Sequence, residues 1–329
     1  MSKRKEDKKR KKVKSLVLLL VLTIIMFSTA TYAWFTANQT VTVSTLDVHV
    51  EASNGLQIST NASEWKTVIT NADITAGYAG AKNMVPATLN AVSTDGTVSE
   101  SELNMYKGVV GSDAQTGEYT ITAAKSPAKA GSTGDYIAFD MFLRVDQAQT
   151  IYLTTSSNVI AKEGTEDKGL KNAARVGFVT LGNASSETAA GTLQALNTPA
   201  ATAIIWEPNA DTHTARGNAS AIEYGITVDD KTNRTGYFGL KKEIANPTKL
   251  KDAMNGTDTT NTAEVTPSVV TPEAYTGAYQ QVVRLEAGVT KIRVYMWVEG
   301  QDVDCENNAS GTDISYNVQL STQSSAAGN

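Results

Sequence analysis

The chain has 329 residues, a formal net charge of −5, two histidines and one cysteine, so no intrachain disulfide can form and the fold is expected to hold through its core. That length suffices for one large core or two modest ones. With residues 1–33 set aside, 20 Lys plus Arg stand against 32 Asp plus Glu, and no clustered basic face follows Lys14, which excludes nucleic acid as an expected partner.

The first fourteen residues hold nine lysines or arginines, offset only by Glu6 and Asp7. An apolar run from Leu16 to Phe27 follows, then the small residues Ser28 to Thr31, which is the three-part layout of a secretory signal. Residues 1–33 are therefore expected to be a signal peptide. Ala33, with Thr31 two positions before it, offers a peptidase compact side chains, so cutting there leaves Trp34 first; a second candidate cut follows Ala30. Retention as an anchor is the competing reading, because residues 16–35 make a 20-residue stretch with Tyr32 and Trp34 at one end. Either way the segment associates with a membrane at least transiently.

After Phe35 the pattern alternates with period two. Val41 and Val43 share one face and Leu46, Val48 and Val50 another, with a phase change at Ser44-Thr45. Ile137, Phe139, Met141, Leu143 and Val145 form an inward set opposite Ala138, Asp140, Phe142 and Arg144, and Ile151 and Leu153 continue it after a turn at Asp146-Gln147. Further strands are predicted over Arg175–Leu181, Ala203–Trp206, Tyr237–Leu240, Gln281–Glu286, Lys291–Glu299 and Asp313–Leu320. In the Lys291–Glu299 strand, Arg293, Tyr295, Trp297 and Glu299 are expected to face solvent.

Short helices are predicted over Ser99–Tyr106, where Ser99 caps and Glu102 follows three later, over Lys168–Ala174, and over Lys241–Met254, interrupted by Pro247. Thr180–Thr202 and Asn255–Thr276, rich in small and polar residues, read as surface insertions. Together these features predict an all-β fold: an antiparallel two-sheet sandwich, jelly-roll-like, with long loop insertions and a few short helices, forming a single domain over 44–329.

The inventory for catalysis is thin. No H-E-x-x-H, G-x-S-x-G, P-loop or G-x-G-x-x-G pattern occurs, so no catalytic residue, cofactor site or metal set is expected. His49 sits in a strand and is expected to face solvent. His213 lies in "IIWEPNADTHTARG" with Glu207 and Asp211, three groups able to coordinate a cation at a spacing that fits no standard zinc site, and equally suited to a turn. In "DVDCENNASGTD", oxygen ligands at Asp302, Asp304, Glu306, Asn308, Ser310 and Asp313 follow calcium-loop spacing; Asn307 stands where glycine is preferred and Asp313 where glutamate is usual, so calcium competes with a polar hairpin loop. Cys305 could pair between chains in an exported protein, but is expected to be a small buried hydrophobe. The seven N-x-[ST] sequons, starting at Asn38, follow from composition.

"TYAWFT" directly after the apolar run, followed by "STLDVHV" (Ser44–Val50), resembles the N-terminus of the TasA/camelysin family of secreted biofilm-fibre proteins over about the first fifty residues. The resemblance implies cleavage between Ala33 and Trp34 by a SipW-type signal peptidase in a Gram-positive cell, a jelly-roll fold, and polymerisation by donation of the freed N-terminal strand. The donor would be 34–43, with Trp34, Phe35, Val41 and Val43 as its apolar residues and Ser44-Thr45 as the hinge. The implied function is a non-enzymatic, secreted structural subunit of an extracellular filament or biofilm matrix, located in the matrix or on the cell surface. Its partners would be other copies of itself, head to tail, and accessory matrix subunits. Two alternatives stand beside it: a membrane-anchored surface adhesin or binding module, and a camelysin-like metallopeptidase.

Overall fold

In the computed structural model the described residues are 48–53, 55–164, 166–223, 228–229, 234–235, 237–254, 260–265, 279–305 and 312–324. The expected signal segment, the cut at Ala33-Trp34, the donor residues Trp34, Phe35, Val41 and Val43, and the phase change at Ser44-Thr45 all lie outside them.

Among the described residues, eleven strands build two sheets. In chain order they are β1 (Val48–Ser53), β2 (Gln57–Ser59), β3 (Val68–Ile69), β4 (Ile137–Val145), β5 (Gln149–Leu153), β6 (Asn158–Ala161), β7 (Ala174–Ala184), β8 (Ile204–Trp206), β9 (Gln280–Leu285), β10 (Gly288–Val298) and β11 (Ile314–Ser321). One sheet runs β9-β5-β11-β1-β3, with β6 also pairing β11; the other runs β8-β7-β10-β4-β2. The all-β expectation holds, and the alternating runs at β4, β10 and β11 became long strands because one face of each carries enough apolar surface to bury. The sheets touch through Tyr316, whose hydroxyl donates to the Trp297 carbonyl at 3.0 Å.

The expectation of a wholly antiparallel sandwich needs one correction. β1 runs parallel to β11, from Val48 opposite Tyr316 to Ser53 opposite Ser321. Parallel neighbours need a long crossover, and here nearly the whole chain supplies it.

A second correction concerns the face expected to be wet. β10 is buried along its full length, and in β4 only Arg144 is partly exposed. Insertions cover the outer face of the five-stranded sheet and make a second core there: Met84, Val92, Leu103 and Met105 pack on Ala138, Val179, Leu181, Ile205, Tyr295 and Trp297. The run from Thr180 is likewise not only surface: β7 continues to Ala184, and a short helix α1 (Ala190–Gln194) buries Leu193 against Phe142 and Val289.

Two predicted helices fail for local reasons. Over Ser99–Tyr106 the chain forms a tight hairpin, Val98–Ser99 against Glu102–Leu103, because Glu100 (φ 52°) and Ser101 (φ 68°) adopt the left-handed conformation of a two-residue turn. Lys241–Met254 is mostly a strand, Ile244–Lys249, followed by one helical turn α3 at Leu250–Met254; α2 is Ala215–Glu223, described below. Pro247 is tolerated because the Ile244–Lys249 strand lies at the sheet edge and its pairing with Tyr119–Lys125 breaks between Ile244 and Thr248. Tyr106–Ser112, an unpredicted strand, completes that three-stranded accessory sheet. Lys168–Ala174 tightens into a 3-10 turn, Leu170–Ala173.

Candidate functional site

The two polar segments singled out in the sequence meet at one end of the sandwich. Glu207 and His213, from the turn after β8, converge on Asp302 and Asp304, from the loop after β10, and all four are buried. One ligand atom from each of Glu207, His213 and Asp302 lies within 4.8 Å of the others. Asp211, the third member expected from the first segment, is outside this group.

A guanidinium occupies the middle. Arg175, the second residue of β7, is completely buried. Its Nη1 donates to the carbonyls of Asn172 (2.8 Å) and Ala174 (2.9 Å). Its Nη2 donates to Glu207 Oε1 at 2.6 Å and to Asp302 Oδ2, and the group stacks 4.9 Å from the centre of the Tyr237 ring. Glu207 and Asp302 thus have their charge met from within the chain.

Asp304 organises the rest. It accepts from Asn172 Nδ2 (2.8 Å), His213 Nδ1 (3.0 Å) and Thr214 Oγ1 (2.6 Å). Burial pushes its carboxyl up, but His213, Thr214 and Asn172 hold it below the ordinary aspartate value. Burial would lower the His213 imidazole; Asp302, Asp304 and Glu207 outweigh it and raise the pKa. Thr214 also caps α2, accepting from the Gly217 amide at 2.9 Å, so the Asp304 carboxylate sits where a helix start favours negative charge.

Gly217 is required by this approach. A Cβ there would lie 2.2 Å from Asp304 Oδ1. Because Asp304 is pinned by several bonds, Gly217→Ala is expected to cost about 1–3 kcal/mol through overpacking, read as a lowered urea midpoint with unchanged m.

A second carboxylate adjoins the cluster. Glu299 is fully buried and accepts from Tyr237 Oη (2.9 Å) and Trp297 Nε1 (3.1 Å) on one oxygen and from the Gln301 amide (3.0 Å) on the other. Burial dominates and pushes it up to about 7, against the opposing pull of Ser93, Trp297, Gln301 and Arg175. Cys305 is buried, as expected, with its thiol pushed up by burial.

The calcium reading meets the same geometry. Its first two oxygen donors, Asp302 and Asp304, already serve Arg175 and the His213, Thr214 and Asn172 donors, while residues 306–311 lie outside the described ones. The chemistry available is a buried, hydrogen-bonded charge lattice joining β7, the 207–214 turn and the 299–305 loop.

At the other end of β10, on the outer face of the same sheet, lies a cleft of about 400 Å³. Its floor is Asp140 from β4 with Lys291 and Arg293 from β10; its walls include Tyr78, Lys82 and Gln194, and the Glu100-Ser101 turn forms part of its lining. Asp140 Oδ1 accepts from Arg293 Nη1 (2.9 Å) and Oδ2 lies 3.2 Å from Lys291 Nζ, while the Tyr78 hydroxyl donates to Oδ2 at 2.5 Å. Burial raises Asp140, but Arg293, Tyr78 and Lys291 together bring it below its ordinary value. The sequence pattern singles out none of these residues as a site and predicts solvent-facing strand positions for Arg293 and Asp140. His49 pairs with Asn317 in β1. No protein-family model, curated protein or solved structure matches the chain.

Proposed function

We infer that the protein is a secreted structural subunit of an extracellular filament or biofilm matrix, polymerising when its cleaved N-terminal segment, 34–43, adds as a strand to the next copy. The observation that best supports this is an available edge. Among the described residues, β9 pairs only with β5, so a six-residue strand presents one unpaired row of backbone donors and acceptors. Such an edge accepts an extended peptide through main-chain hydrogen bonds, with alternate side chains giving specificity. The alternating segment Trp34–Val43 lies only a few residues before β1 and has the length for it. A head-to-tail contact of this kind does not close on itself, and repetition yields a filament.

The partners in this reading are further copies, a SipW-type signal peptidase acting between Ala33 and Trp34, and accessory matrix subunits; the subunit has no catalytic role. Among the described residues no helix is long and apolar enough to cross a membrane, and residues 16–35, on which the anchored-module alternative depends, lie outside them. A metallopeptidase is disfavoured because the carboxylates best placed to hold a metal, Glu207 and Asp302, both bind Arg175.

Protein beginning at Trp34 is expected to form filaments visible by negative-stain electron microscopy, whereas protein lacking 34–43 elutes as a folded monomer in size-exclusion chromatography. Identical monomeric behaviour of the two overturns the reading. N-terminal sequencing of the exported chain is expected to begin at Trp34; retention of earlier residues favours the anchored module.

A further inference from the structure

We propose that the free edge of the accessory sheet, Val109–Ser112, pairs antiparallel with the same edge of a second copy, so that the chain self-associates side by side. The accessory sheet runs Ile244–Lys249, Tyr119–Lys125, Tyr106–Ser112, which leaves the last strand at an edge among the described residues. Its ladder phase is fixed at both ends. Asp113 N donates to the Glu118 carbonyl and Ser126 N to the Met105 carbonyl, both at 2.8 Å, so the odd-numbered residues bond inward to Tyr119–Lys125. Tyr106 points the other way and exchanges both of its backbone bonds with Ser93. Val110 and Ser112 share the phase of Tyr106 and therefore aim N–H and C=O away from the sheet. Gly108 is buried, so the open stretch begins beyond it; Val109 is 56% exposed, and Gly111 and Ser112 are exposed.

Edges of this kind are ordinarily blocked, and the opposite edge of the same sheet is: Ile244–Lys249 carries Pro247 and a break in register. Val109–Ser112 has no proline, no charge and no register break. The strand is also complementary to itself. With a two-fold axis at Gly111, Val110 of each copy faces Ser112 of the other, and the outward phase of both residues lets their N–H and C=O groups pair across the interface. The two Gly111 residues meet at the axis, in the kind of pair that brings Cα atoms closest, and no side chain intervenes. Lys107 of each copy stands diagonal to Asp113 of the other, within reach of a long side chain. Lys107 Nζ donates to Asp135 at 2.7 Å, but its side chain is 41% exposed and the ammonium keeps further donors. Asp113 closes its own turn through Oδ1, which leaves Oδ2 to accept. So short an edge falls below the roughly 1,000 Å² of a stable complex, so the contact is weak, with a Kd of about 0.1–1 mM, and dilute protein stays monomeric.

The contact lies on a different sheet from β9 and can be read whether or not filaments form, so it stands or falls apart from strand donation. Gly111→Cys is accommodated within the chain, since a Cβ there meets Thr120 Oγ1 at 3.5 Å, an ordinary contact, and the native Cys305 is buried. Under mild oxidation the exported Gly111→Cys protein is expected to form a disulfide-linked dimer at least about tenfold faster than Thr116→Cys, an exposed position in the turn of the same hairpin. Adding Val110→Pro to Gly111→Cys is expected to abolish the dimer while circular dichroism stays that of the parent, because the lost N–H points away from the chain's own ladder. Should a variant fail to fold, the wild type still decides. Amide exchange at Val110 and Ser112 is expected to slow at least about threefold between about 10 µM and about 1 mM protein, while Val109 and Gly111, bonded within the sheet, do not change. Equal cross-linking at 111 and 116, a dimer that survives Val110→Pro, or exchange at Val110 and Ser112 that is independent of concentration overturns the proposal.

Discussion

Arg175→Met is expected to destabilise the fold by about 3–5 kcal/mol, measured as the change in unfolding free energy from urea titrations. The arginine is fully buried, and its removal leaves Glu207 and Asp302 as buried carboxylates without the guanidinium that both bind. The apolar stem of methionine fills much of the vacated volume, so the loss isolates charge from packing. A domain of ordinary stability has about 5–15 kcal/mol in hand, which makes this a large fraction of the whole. Combining Arg175→Met with Glu207→Gln and Asp302→Asn is expected to recover part of the loss, since neutral amides no longer need a counter-ion. A cost below about 1 kcal/mol for Arg175→Met, or a triple variant weaker than the sum of its parts, would show that the lattice is not coupled through that guanidinium.

Thermal stability is expected to fall as pH rises from about 5.5 to 8, a range in which paired aspartates alone would leave it flat. Glu299 carries a folded pKa of about 7 against 4.5 in the unfolded chain. Between those values the unfolded state has released a proton that the folded state keeps, so each unit of pH lowers stability by about 1.4 kcal/mol, up to about 3 kcal/mol across the window. His213 acts in the same direction: its folded pKa lies above 6.5, so its contribution is complete below that value and is lost as pH rises through the folded pKa. Asp304, Asp140 and Asp135 act oppositely, because their pKa values are depressed below 3.8 and their contributions are lost as pH falls through the folded values. Maximal stability is therefore placed in the mildly acidic range. Differential scanning calorimetry across that range checks it, and Glu299→Gln is expected to flatten the alkaline fall. A melting temperature that rises from about pH 5.5 to 8 refutes the assignment of these two groups.

Much of the sandwich was legible in the sequence, because β4, β10 and β11 alternate cleanly and alternation is the direct signature of a sheet with one apolar face. The covering of the outer face was not. Met84, Val92, Leu103 and Met105, which bury Tyr295 and Trp297, are scattered without a period, so nothing local shows that Asp140 and Arg293 end up inside. The Ser99–Tyr106 hairpin was hidden by Glu100 and Ser101: non-glycine residues with positive φ leave no compositional mark, while Ser99 and Glu102 mimic a helix start. In the charge lattice, Glu207, His213, Asp302 and Asp304 were each conspicuous in their own segment. Their meeting was not readable, since Arg175 is 127 positions from Asp302 and His213 is 91 from Asp304. Only the tertiary fold brings Arg175, read as an ordinary strand residue, between them.

The parallel pairing of β1 with β11 also sets the order in which the protein can come into being. Ser53 Oγ donates to the carbonyl of Leu320, 267 positions later, and β11 is also the neighbour of β5 and β6. Half of the sandwich therefore lacks its central strand until residues 314–321 have left the ribosome. Closing so long a loop before any contact rewards it is slow. A nascent chain stalled or clipped short of Ile314 would be caught with β1 unmatched, so the body cannot close before β11 has been made.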